Sequence, residues 1–168
     1  MNEKIKCRRL LLKSLSLEEM IRIKNGKQDF LPESLLTEVI ISAIEYKTEQ
    51  MSMVPKEAYP WLNYWLITEK ESGRGIGLIG SKHLPDAEGY VELGYAIAEE
   101  YRNHGYMTEA LEGFLDWLYM HPFCLGAVLS IHEANIASVK AAQKCGFQYE
   151  GLNEGYRIYR YKFFEESC

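Results

Sequence analysis

The chain has 168 residues, of which 47% are hydrophobic and 26% are charged, and its formal net charge is −5. This length fits a single domain over residues 1–168, and the acidic balance argues against a nucleic-acid partner, since nucleic-acid-binding domains are basic. No apolar run approaches the roughly 18 residues that a membrane span needs. The opening "MNEKIKCRRLLLKSLSLEEM" fits neither a signal peptide nor a transit peptide, so we expect a cytoplasmic protein without a membrane partner.

The N-terminal half begins with a predicted strand over 8–16 and a short helix over 17–26, with Ser16 as its N-cap and Gly26 as its stop. Apolar residues at helical spacing predict a second helix over 32–47. A loop follows over 49–60, and residues 61–85 then read as a hairpin of two strands that turns at Ser72–Gly73.

The C-terminal half continues with a strand over 89–97, a helix over 106–120, a strand over 126–132, a helix over 133–146 and two final strands over 147–153 and 156–164. In the strand over 89–97, alternation places Val91, Leu93, Tyr95 and Ile97 on one face. The element order predicts an α/β (α+β) fold, with a mixed, mostly antiparallel sheet of six to seven strands and helices on both faces.

The cysteines are Cys7, Cys124, Cys145 and Cys168, and they show neither C-x-x-C spacing nor paired histidines. We therefore expect no metal site, and scattered free thiols are typical of a reducing compartment.

The segment "YRNHGYMT" joins the strand over 89–97 to the helix over 106–120. A helix N-terminus presents unpaired N–H groups that favour anions, Gly105 allows a close backbone approach, and Arg102 and His104 add positive charge. This pattern favours a phosphate site, although an ordinary strand-to-helix turn has the same features. Asn135, Ser138 and Ala142 share one face of the next helix, which could flank the same cleft.

These motifs together resemble the GNAT family of N-acetyltransferases. "YRNHGYMTEA" resembles its R-x-x-G-x-[GA] pyrophosphate loop, "LGYAI" its bulged strand, and "NIASVK" with "KCGFQYEG" its later helix and strand. "CRRLLLKSL" and "YMTEA" point to the RimJ/RimL-like branch, although the tight turn between the last two strands departs from that branch's longer connection.

The resemblance implies acetyl-CoA as cosubstrate. The N–H groups from His104 to Thr108 would hold the pyrophosphate, and Asn135 would bond the pantetheine arm, which would pair with the strand. The implied cofactor-binding residues are Ala96, Ile97, Ala98, Arg102, Asn103, His104, Gly105, Tyr106, Met107, Thr108, Asn135 and Lys140. Met107 occupies a slot usually held by Gly or Ala, and we expect its side chain to turn into the core.

The implied catalytic groups are the amide of Tyr95, Ser138 and Glu92. A bulge near Gly94 would free the Tyr95 amide to polarise the thioester carbonyl. Ser138 would protonate the leaving thiolate, because Ala142 stands where many members carry a tyrosine; alternatively, its hydroxyl only bonds a carbonyl of its own helix.

Glu92 could deprotonate the amine, or it could be a solvated strand carboxylate. Glu150, Glu154 and His83 are alternative bases, and His83 is more readily explained as a loop residue.

The implied reaction is direct transfer of the acetyl group to a primary amine by a monomer or homodimer. A peptide or protein α-amine, with a pKa of about 8, is neutral in roughly one molecule in ten at neutral pH, whereas a lysine amine is neutral in only a few per ten thousand. A site without a clearly placed base therefore favours the α-amine. The alternatives are a small-molecule amine such as a polyamine or aminoglycoside, and an acyl-CoA-binding module without turnover.

Overall fold

The fold is described for residues 2–165 by a computed structural model, so Cys168 lies outside the described residues. The strands are β1 (Lys4–Lys6), β2 (Leu10–Ser14), β3 (Trp65–Glu69), β4 (Gly75–Ser81), β5 (Tyr90–Ile97), β6 (Gly126–His132), β7 (Gln148–Asn153) and β8 (Tyr156–Lys162). The α-helices are α1 (Leu17–Lys24), α2 (Glu38–Met51), α3 (Tyr59–Leu62), α4 (Tyr106–Tyr119) and α5 (Ile136–Lys144). None of these helices is long and apolar enough to cross a membrane.

The strands form one sheet in the order β1-β2-β3-β4-β5-β6-β8-β7. Every neighbouring pair is antiparallel except β5 and β6, which run parallel. The predicted mixed, mostly antiparallel sheet is therefore confirmed, but it has eight strands rather than six or seven. The unpredicted strand is β1, whose three residues are too few to show a period-two pattern.

The second predicted helix is displaced along the chain. Residues 33–35 form a 3₁₀ turn, and α2 begins at Glu38 and extends to Met51, into the predicted loop. Thr37 sets the start, because its hydroxyl accepts a hydrogen bond from the Ile40 amide at 3.3 Å and satisfies one of the first-turn donors. The loop also contains a 3₁₀ turn over 56–58 and the first two residues of α3.

Two hydrophobic cores lie on opposite faces of the sheet. One is built around α4 and includes Trp65, Val91 and Phe114. The other is built around α1 and α2 and includes Met20 and Ile44. This arrangement confirms helices on both faces, and it holds β5 between two packed layers.

A buried lysine connects α2 to the sheet. Lys47 is 5% exposed, and its Nζ donates hydrogen bonds to the carbonyls of Leu62 at 3.3 Å, Asn63 at 3.2 Å and Ser81 at 2.9 Å. It also lies 4.4 Å from the ring centroid of Tyr64. Burial lowers the pKa of Lys47 to about 7, whereas the three carbonyl acceptors favour the ammonium form. Lys47 thus satisfies carbonyls at the end of α3 and at the end of β4 together.

Replacing Lys47 with methionine keeps the length of the stem but removes the donor from all three carbonyls. We expect Lys47→Met to lower the free energy of unfolding by about 1–3 kcal/mol, the usual cost of leaving buried polar groups unsatisfied. Urea unfolding at neutral pH measures this change. Lys24→Met, at an exposed position of α1, is the matched control and should change stability by less than about 0.5 kcal/mol. Equal effects of the two substitutions would contradict the role of Lys47.

Candidate active site

The site lies where β5 and β6 separate. Their parallel pairing covers only Tyr90–Glu92 against Gly126–Val128. Beyond this point β5 continues beside β4 as far as Ile97, and β6 continues beside β8 as far as His132. The divergence opens a cleft of about 790 Å³ between β5, the segment over 101–108 and α5.

The divergence also decides which backbone groups of β5 are unpaired. The Lys82 amide donates to the Glu92 carbonyl and the Ala98 amide to the Ile76 carbonyl, both at 2.8 Å. Because backbone groups alternate in direction along an antiparallel strand, the even-numbered residues of β5 bond to β4, and the amides of Tyr95 and Ile97 point towards the cleft.

The expectation of a bulge near Gly94 is wrong. The β4–β5 register runs without a shift from Leu93 to Ile97. The Tyr95 amide is freed instead by the separation of β6 from β5, because among the described residues no strand pairs with β5 on the side away from β4 at this level.

The loop before α4 has the backbone conformation of an anion site. Asn103 has a φ of 67° and Gly105 has a φ of 76°, so both are left-handed. The first helical hydrogen bond runs from the Glu109 amide to the Gly105 carbonyl at 3.1 Å, and no side chain of residues 2–165 caps the start of the helix. The N–H groups of residues 106–108 therefore have no helical acceptor, and turns that present successive N–H groups in this way bind anions.

Most of the predicted cofactor-binding residues lie together. Those that line the cleft are Ala96, Ile97, Arg102, Asn103, Gly105, Tyr106, Met107, Thr108, Asn135 and Lys140. Met107 also packs against the core around α4, which confirms the expected direction of its side chain.

Two predicted cofactor-binding residues lie outside the cleft. Ala98 is buried, and its amide is used by the Ile76 carbonyl. The ring of His104 turns back on its own loop, with Nδ1 2.8 Å from the Arg102 carbonyl, and stacks on Tyr106. Its imidazole therefore adds no group to the cleft wall.

The cleft is cationic although the chain is acidic. Arg102, Lys140 and Lys144 line it, and no aspartate or glutamate does so among the described residues. Arg102 also donates from Nε to the Ile97 carbonyl at 3.1 Å. Lys144 was not among the residues predicted from the sequence, although its i, i+4 spacing from Lys140 on α5 indicates the same face. Within residues 2–165, no three His, Cys, Asp or Glu side chains are grouped as metal ligands.

A hydrogen bond connects the α5 wall of the cleft to β5. Asn135 is the N-cap of α5 and accepts a hydrogen bond from the Ser138 amide at 3.2 Å, so its Nδ2 group is available as a donor to a ligand. In the described part of the chain, the Ser138 hydroxyl makes no hydrogen bond within its helix. The Tyr95 hydroxyl donates to the Ser138 carbonyl at 3.4 Å, and burial raises the pKa of Tyr95 to about 12.

Glu92 lies on the opposite side of the opening and does not line the cleft. Its carboxylate accepts a hydrogen bond from the Ser130 hydroxyl at 2.7 Å and pairs with Lys82 at 3.4 Å. Glu150 pairs with Arg160 at 2.9 Å. Glu92 is the last residue of β5 that pairs with β6, and its amide donates to His83 Nε2 at 3.4 Å, so these two candidate bases lie where the strands part.

A family model described as the acetyltransferase (GNAT) domain matches residues 26–148. A curated relative from Bacillus subtilis, uncharacterized N-acetyltransferase YjdG, is 26% identical over 97 residues, which cover 58% of this chain and 58% of the relative. The match thus spans little more than half of that relative's length.

Solved structures of the same fold cover nearly the whole chain. RimL, ribosomal L7/L12 alpha-N-protein acetyltransferase, superimposes with a TM-score of 0.70 at 14% identity and covers 98% of this chain and 100% of its own. Microcin C7 self immunity acetyltransferase MccE, in complex with acetyl-CoA and AMP, has a TM-score of 0.65 at 18% identity, with 93% of each chain covered. At these identities the similarity shows the fold.

The lysines of α5 provide a test of the cleft's charge. Replacing Lys140 and Lys144 together with glutamine should weaken coenzyme A binding by roughly 3–10-fold, since each exposed ion pair contributes up to about 1 kcal/mol. The difference from wild type should shrink at high salt, which screens exposed charges. Isothermal titration at two salt concentrations measures both effects. The double variant Lys24→Gln/Lys27→Gln, with the same charge change outside the cleft, should bind as wild type; equal losses in the two variants would show that only net charge matters.

Proposed function

The chain belongs to the GNAT family of acetyltransferases, and we propose that it transfers an acetyl group from acetyl-CoA to a primary amine. The observation that carries this proposal is the cleft itself. It combines unpaired N–H groups at the start of α4 with three cationic side chains and no carboxylate among its described lining residues. This is the environment that a pyrophosphate needs in a protein of net charge −5.

The rest of the cofactor would lie in the cleft in an extended form. The pyrophosphate would lie against the amides of residues 104–108, with Arg102 and Lys140 beside it. The pantetheine arm would lie along β5 and use the outward backbone groups of Tyr95 and Ile97, in the place of the missing neighbouring strand. The Nδ2 group of Asn135 would donate to the arm from the facing helix.

The proposed chemistry is direct attack of the amine on the thioester carbonyl. The Tyr95 amide would donate to the oxyanion that develops, and the Ser138 hydroxyl would protonate the departing thiolate directly or through water. A cysteine nucleophile is not required. Burial raises the pKa of Cys7, Cys124 and Cys145, the last to about 12, so these thiols are protonated at neutral pH.

The proposed acceptor is a peptide or protein N-terminal α-amine. On the side of the opening opposite the cofactor cleft, Glu92 and Ser130 are partly exposed and Tyr156 is exposed. The exposed His132, which contacts Tyr156, also lines the cleft. An open sheet face suits the end of a peptide chain, and Glu92 would receive the proton of the incoming amine. The α-N-protein acetyltransferase among the structural neighbours supports this choice.

An amine panel tests the acceptor. We expect thiol release from acetyl-CoA to be fastest with short peptides that carry a free N-terminus and at least tenfold slower with the same peptides blocked at that amine. Thiol detection with a chromogenic disulfide measures the rates. Faster thiol release with a polyamine or an aminoglycoside than with the peptides would show that the acceptor is a small-molecule amine. Binding of coenzyme A without release for any amine would indicate an acyl-CoA-binding module.

Ser138→Ala tests the proton donor. It should lower kcat by about tenfold or more, because general-acid assistance contributes about 10²–10⁴-fold. The KM for acetyl-CoA should stay near that of wild type, since the phosphates are held elsewhere. Tyr95→Phe removes the hydroxyl group that bonds the Ser138 carbonyl and is the matched comparison. A larger loss of kcat in Tyr95→Phe than in Ser138→Ala would assign the proton to the tyrosine instead.

A further inference from the structure

Arg9 reaches the loop before α4 from the other end of the chain. It lies in the turn between β1 and β2. Its Nε donates to Glu109 Oε1 at 2.8 Å, and its backbone amide donates to Glu109 Oε2 at 2.7 Å. Its Nη1 donates to the His104 carbonyl at 2.9 Å. These contacts join residues almost one hundred positions apart.

The same guanidinium covers the turn at Gly105. It lies 4.5 Å from the ring centroid of Tyr106, and a Cβ at Gly105 would lie 3.4 Å from Arg9 Nη2. The Tyr106 hydroxyl donates to Glu69 at the end of β3. The turn between β1 and β2, through Arg9, and the end of β3, through Glu69, therefore both hold the loop before α4. Arg9 contacts His104 and Tyr106, which lie on either side of the left-handed Gly105.

Arg9 also neutralises a carboxylate at the start of α4. Glu109 lies in the first turn of α4, close to the N–H groups that would receive the pyrophosphate. Burial acts to raise the pKa of Glu109, but hydrogen bonds from the Arg9 side chain and backbone outweigh it and lower this pKa. Glu109 is therefore ionised at neutral pH, and without a partner its charge would repel phosphate across a few ångströms.

We propose that Arg9 is a positioning residue for cofactor binding, which fixes the loop over 102–106 in its anion-binding conformation and neutralises Glu109. This inference rests on the proposed function, because it assumes that the loop binds the pyrophosphate of acetyl-CoA. Arg9 acts through the loop and through Glu109, and it does not itself hold the phosphates. The neighbouring Arg8 is exposed and makes no ion pair or hydrogen bond within the described residues.

The test compares Arg9→Ala with Arg8→Ala, which removes the same charge one residue away. Arg9→Ala should raise the KM for acetyl-CoA and the Kd for coenzyme A by about tenfold or more, the order expected when charge-assisted hydrogen bonds are lost. The value of kcat at saturating acetyl-CoA should stay within about twofold, since the reacting groups lie elsewhere. Arg8→Ala should leave both constants unchanged.

Glu109→Gln in the Arg9→Ala background separates positioning from direct contact. Because it removes the unpaired charge, the double variant should recover at least about threefold of the lost affinity. No recovery would overturn the neutralising role of Arg9. Arg9→Lys keeps the positive charge but lacks the planar guanidinium with its several donors, so it should give an intermediate Kd for coenzyme A. This variant replaces Arg9→Ala in the comparison if Arg9→Ala does not fold.

Two measurements distinguish a failure of this inference from a failure of the proposed function. They are the melting temperature without ligand and the increase in melting temperature that coenzyme A causes. A lower melting temperature with an unchanged ligand-induced shift would make Arg9 merely structural and overturn the inference. Wild-type binding of coenzyme A with the same Kd in Arg9→Ala would also overturn it, while leaving the proposed function intact. No binding by the wild type would overturn the proposed function.

Discussion

The structure depends on the separation of two neighbouring strands, β5 and β6, after three paired residues. Unpaired backbone groups inside a sheet are costly unless another partner satisfies them. The separation nevertheless persists because each strand belongs to a different antiparallel ladder, β5 with β4 and β6 with β8. Arg102 satisfies the Ile97 carbonyl, and the remaining groups are available to an extended ligand. The cleft thus lies on the side of β5 where a neighbouring strand would otherwise pair, and the N-terminus of α4 lies at its end.

The electrostatics of the cleft result from where its charges lie within an acidic chain. Arg102, Lys140 and Lys144 line the cleft, and no carboxylate does so among the described residues. Of the carboxylates near the loop before α4, Glu109 is paired with Arg9. Glu69 and Glu100 keep their charge but are held by hydroxyl groups outside the cleft lining. This distribution explains how a protein of net charge −5 can present a positive cleft.

Local signals predicted the elements that local interactions determine. Ser16 is the N-cap of α1 and Gly146 follows α5 in a left-handed conformation, as the sequence indicated. The structure adds that Ser16 forms a capping box with Glu19. The helix over 32–47 was misplaced because apolar spacing continues through the 3₁₀ turn, whereas the side-chain cap at Thr37 determines where α2 begins. The strand β1 was missed because only its pairing with β2 makes it a strand.

The sequence by itself determined the loop between β5 and α4, since Gly105, the basic residues around it and the start of a helix are neighbours in the chain. It also indicated the α5 residues Asn135 and Ser138 that face the same cleft. Only the tertiary structure decided that the Tyr95 amide is freed by strand divergence rather than by a bulge, and that Arg9 holds the loop. Strand separation and a contact between residues one hundred positions apart arise from packing across the sheet, which leaves no periodic signal in the sequence.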